Sequence, residues 1–76
     1  MHNRDITVNV GSVAGKFGGQ LSIAAVKFMG NKSVQIYASD PQDLRLRGII
    51  MHLNQSEIDA LKRLIAEAEQ AMRELP

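Results

Sequence analysis

The side chains with the most chemistry to offer lie between residues 16 and 47: Lys16, Phe17, Phe28, Lys32, Tyr37, Arg45 and Arg47. Phe28, Tyr37, Arg45 and Arg47 fall at strand spacings that put them on one face of a sheet, with Ser22, Val26, Gln35 and His52 beside them. Aromatic rings among arginines on an open sheet suit a single-stranded nucleic acid, because bases stack on the rings while the cations follow the backbone. Lys16 and Phe17 offer the same pairing from a glycine-rich loop, and Lys32 follows a turn. The same residue types also serve a protein interface, where Tyr and Arg are common hot spots. Burial of Phe28 against another part of the protein, and arginines that simply keep a sheet edge solvated, are the plainer alternatives.

Other chemistry has little to stand on. There is no cysteine, so disulfides and thiolate metal sites are excluded. His2 sits near a terminus, and His52 is the only internal histidine. A metal site would need His52, Asp40 and Asp43 to converge, which nothing in their spacing suggests. A phosphate-loop reading of residues 11–20 fails on detail: Gly11 and Gly15-Lys16 are one residue too close, and Phe17 stands where a metal-binding Ser or Thr is needed. Neither an enzyme nor a cofactor is expected.

Seventy-six residues make one domain at most, with a core so small that a second copy is an easy way to bury more apolar surface. The start has no apolar run behind Met-His-Asn-Arg-Asp, and no segment reaches the apolar length of a membrane span, so a soluble intracellular (cytoplasmic) protein away from membranes is expected. The net charge of +1 hides a division. Residues 1–53 carry six basic side chains against three acids, a net +3, and residues 54–76 carry three against five, a net −2. A polyanion would therefore meet the body and not the tail.

These groups must be positioned by the segments around them. Residues 1–4 read as a tail and residues 5–53 as sheet. Ile6, Val8 and Val10 alternate with Thr7 and Asn9, the period-two pattern of a strand over residues 5–10. Residues 11–20 hold four of the six glycines and read as a flexible loop. Residues 21–29 and 33–39 are further strands, joined by a tight turn at Gly30-Asn31. Asp40-Pro41-Gln42-Asp43 is a turn, and residues 44–53 are a last strand whose parity changes at Gly48, where a bulge would restore it. Phasing these strands puts Leu21, Ile23, Ala25, Val34, Ile36, Leu44, Leu46, Ile49, Met51 and Leu53 on the second face, expected to lie under a helix.

That helix spans residues 54–75. Ile58, Leu61, Ile65, Ala68, Met72 and Leu75 recur at steps of three and four and draw one apolar stripe. Asn54 is a good N-cap with Glu57 three residues on, Leu53 and Ile58 can staple the first turn, and Arg63 and Glu67 are an i, i+4 pair. The stripe is wide enough to cover a sheet and still offer Leu61, Ile65, Ala68 and Met72 to a second copy. The expected class is α+β: an antiparallel meander of about four strands, the first an added N-terminal one, then one long amphipathic helix.

From about Phe17 to Leu75 the chain resembles the transcriptional coactivator single-stranded-DNA-binding family, the whirly-like coactivator domain. The residues carrying the likeness are Phe17 to Gln20, Ile23 to Phe28, Gly30 and Lys32 in the first two strands and turn. Asp40-Pro41 matches the acidic-proline turn, and Leu53-Asn54, Leu61-Lys62, Ile65, Ala71, Arg73 and Leu75 match the junction and helix. The resemblance implies a homodimer that grips single-stranded DNA on its sheet face, with Phe28 on a stacking aromatic, Lys32 near a basic turn residue and Tyr37 as a neighbouring aromatic. The other expectation keeps fold and dimer but makes the protein a small phage- or mobile-element-type interaction protein, one that inhibits a host protein or sequesters a nucleotide signal.

Overall fold

The computed structural model describes residues 5–40, 42 and 48–76. Four strands, β1 (Ile6–Ala14), β2 (Gln20–Phe28), β3 (Asn31–Ser39) and β4 (Ile49–Leu53), form one antiparallel meander in the order β1-β2-β3-β4, followed by helix α1 (Gln55–Glu74). The class is α+β, with the long C-terminal helix expected from the stripe. Leu44, Arg45, Leu46 and Arg47 lie outside the described residues, and with them the expected first half of the last strand, on which the bulge expected at Gly48 depends.

Two boundaries differ from the sequence reading. β1 runs past the first glycine to Ala14, because Ser12, Val13 and Ala14 pair with Ser22, Leu21 and Gln20. Gly11 is therefore part of a strand, and the register slips between Asn9 and Gly11, so that Val10 is the extra residue of a bulge. What remains of the loop is residues 15–19, closed by Gly15 N–H donating to Gly19 O at 3.0 Å and Gly18 N–H to Gly15 O at 3.3 Å. The β2–β3 turn is Met29-Gly30, one residue earlier than expected, since Asn31 pairs with Phe28. Both turn residues have positive φ, 51° at Met29 and 81° at Gly30, as a two-residue hairpin with right-twisted arms requires.

The register separates two faces. Ile6, Val8, Val13, Leu21, Ile23, Ala25, Val34, Ile36, Ala38, Ile49, Met51 and Leu53 share one, with Lys27 and Lys32 paired at its end. Thr7, Asn9, Ser12, Ser22, Phe28, Asn31, Ser33, Gln35, Tyr37 and His52 share the other. The expected face assignments hold for every described residue among them.

The packing is different from the expectation that the apolar face lies under the chain's own helix. Among the described residues helix α1 meets the sheet chiefly at β4 and has no buried residue. Ile65 and Met72 are 59% and 62% exposed, while Leu21, Ile23 and Met51 of the apolar face are exposed as well. Among the described residues only Ala24 and Leu53 are buried. The molecule is 59 Å long, close to a nine-residue strand and a 20-residue helix laid end to end at about 30 Å each. Its radius of gyration is 15.3 Å, against about 11 Å for a compact chain of this length.

The reason lies at the junction. Asn54 alone separates β4 from α1, and its side chain accepts from Glu57 N–H at 3.0 Å while its own N–H donates to the Glu57 carboxylate at 2.9 Å. This capping box satisfies two backbone donors at once and leaves no slack in which the helix could turn back. Leu53, 7% exposed, and half-buried Ile58 flank the cap. Further along, the helix surface carries the pair Glu69–Arg73, at 3.3 Å.

Candidate ligand-binding face

The polar sheet face is the candidate site. Its strands present amides and hydroxyls from Thr7, Asn9, Ser12, Gln20, Ser22, Asn31, Ser33, Gln35 and Ser39, interrupted by Ala14, Ala24, Val26 and the two aromatics Phe28 and Tyr37. Two open depressions run along it and meet at Gln35. One, of about 420 Å³, lies between Asn9, Ser12, Ser22 and Tyr37. The other, of about 760 Å³, lies between Thr7, Phe28, His52 and the first helical turn at Asn54 and Glu57. Where they join, the Gln35 side-chain oxygen is 3.2 Å from His52 Nε2, a cross-strand pair that holds both side chains upright on the face.

The aromatic residues stand at opposite ends of this track. Tyr37 pairs with Ser22, and Phe28 is six residues further along the same strand, about 20 Å away. Phe28 is 56% exposed and borders the larger depression. The Tyr37 ring is half-buried, lying against Gly48. Beyond the Tyr37 end the β1–β2 loop carries Lys16 and Phe17. Phe17 is 96% exposed, with the Lys16 ammonium 5.6 Å from the ring centre.

The described cations stand off the strands of this face. The register places Lys32 opposite Lys27, on the apolar face, although it still borders the depression that holds Phe28. Arg45 and Arg47 lie outside the described residues, so the expected cluster of Phe28, Tyr37 and the two arginines is represented here by its aromatic half. Within the strands, the described residues of the polar face include no lysine or arginine. Of the expected helix contacts, Ile65, Ala68 and Met72 are exposed and Leu61 half-buried.

Asn9 and Ser12 were not singled out from sequence as part of this face, and the signal available was the period-two run of small polar residues. Among the described residues no three potential metal ligands converge, and no helix is long and apolar enough to cross a membrane. No family model matches the chain, and neither a curated protein nor a solved structure matches it.

Proposed function

We propose that this protein is a non-catalytic homodimer that binds single-stranded nucleic acid along its polar sheet face. The observation that carries the reading is Phe17, an almost fully exposed aromatic ring with a lysine ammonium beside it, at the end of an open polar track whose far end holds Phe28. A base stacked on this ring would remove its apolar face from water while the ammonium beside it meets a phosphate. The track, about 20 Å between Tyr37 and Phe28, accommodates roughly six stacked nucleotides, within the span one such surface covers. The apolar face takes no part in this and is the one left for a second copy.

A second reading is supported by a specific feature: the described strands of the polar face hold no lysine or arginine. Amides, hydroxyls and isolated aromatics without cations fit a protein ligand better than a polyanion, as in the inhibitor of a host protein. Fluorescence anisotropy with labelled oligo-dT separates the two. Saturable binding in the micromolar range or tighter, weakening steeply with salt, is expected of the first. Absence of saturation below about 100 µM, the ordinary non-specific range, rejects it in favour of the second.

A further inference from the structure

We infer that two copies exchange helices: α1 of each chain lies on the apolar sheet face of the other. This rests on the self-association in the reading above and specifies which surfaces meet.

The area is the first reason. The chain exposes 6897 Å², whereas a compact protein of 8.4 kDa exposes about 4,600 Å². The excess of about 2,300 Å² per chain gives about 4,600 Å² for two, in the range of obligate homodimers and far above a transient contact. Both halves of a core are present and exposed: the sheet offers Leu21, Ile23 and Met51, and the helix offers Ile65, Ala68 and Met72.

The second reason is fit. A 20-residue helix and nine-residue strands are both about 30 Å long, so one helix spans the whole face. The third is charge. Lys27 and Lys32 sit side by side at one end of the apolar face, a like-charge pair that is unfavourable without an anion. Helix α1 belongs to a segment of net charge −2. The chain's own helix cannot supply the cover, because the one-residue link at Asn54 and its capping box direct α1 off the end of the sheet. A short connection of this kind favours exchange over folding back. A two-fold axis makes the exchange reciprocal and leaves no apolar face open.

The chain has no cysteine, which makes cross-linking specific. One preparation carries Ala68→Cys on the helix and is labelled with ¹⁵N. The other, unlabelled, carries Ala25→Cys or Ala38→Cys on the apolar face, or Ser33→Cys on the polar face as control. The two are co-refolded from urea and treated with a short bis-maleimide, and the products are read by mass spectrometry. The inference expects labelled-to-unlabelled links from residue 68 to residue 25 or 38 at least tenfold above links to residue 33. A dimer by native mass spectrometry that links only residue 68 to residue 68, or none of these, overturns the exchange and leaves the dimer standing. A single chain by native mass spectrometry overturns both.

Discussion

The Tyr37 ring occupies the space in which Gly48 would carry a Cβ atom. Tyr37 pairs with Ile50 across the β3–β4 ladder, so Gly48 is its diagonal neighbour on the same face, and the ring folds over the bare backbone. Gly48 has no left-handed φ; what glycine supplies here is room. A ring laid on a glycine covers backbone that would otherwise be wet and fixes the register at this edge.

Gly48→Ala is therefore expected to destabilise the protein by about 1–3 kcal/mol, as overpacking does. In a Tyr37→Ala background the same substitution becomes neutral or mildly stabilising, since away from positive φ alanine restricts the unfolded chain. Urea unfolding of the four proteins of this cycle measures the coupling. Equal costs in both backgrounds would show that the ring and the glycine are independent.

The β2–β3 turn holds a residue in a conformation that does not suit it. Met29 has φ of 51° and is followed by Gly30 at 81°. Met29→Asn puts the preferred Asn-Gly pair in the turn and is expected to stabilise the protein by about 0.5–1 kcal/mol. A higher urea midpoint with unchanged slope is the expected result, and an unchanged midpoint shows that the turn carries no strain.

Much of this was written plainly in the chain, and the parts that were not have physical reasons. The two faces of the sheet follow from the alternation of Leu21, Ile23 and Ala25 with Ser22, Ala24 and Val26, and the observed register preserves it. The capping box follows from Asn54 and Glu57, whose spacing alone suffices. The length of β1 was hidden because Gly11 and Ser12 look like loop residues, yet pairing to β2 continues through a bulge. Asparagine tolerates positive φ, which points to a turn one residue later, but Asn31 is held by its pairing with Phe28. An amphipathic stripe announces that something apolar covers the helix; it does not say whether that surface belongs to the same chain. Nearness in sequence does not settle the face: Lys32 is close to Phe28 along the chain but on the opposite side of the sheet.

Phe17 stands clear of the fold, so its replacement isolates binding from stability. Phe17→Ala is expected to leave the urea midpoint within about 0.5 kcal/mol of the parent, as for an exposed side chain. Loss of a stacking platform weakens oligo-dT binding by about 1–3 kcal/mol, or roughly 5- to 150-fold. Lys62→Glu, on the helix, changes affinity by less than this. If the two variants bind alike, the loop is not where the strand lies.

The dependence of unfolding on protein concentration tests most directly whether a second copy completes this fold. When folding and association are one event, each tenfold increase in concentration stabilises the dimer by about 1.4 kcal/mol and raises the urea midpoint by roughly half a molar. We expect that shift across low to high micromolar protein, with the helix signal and the sheet signal moving together. A midpoint that stays fixed over the same range would mean that one chain folds by itself, with its apolar face and its helix stripe both facing water.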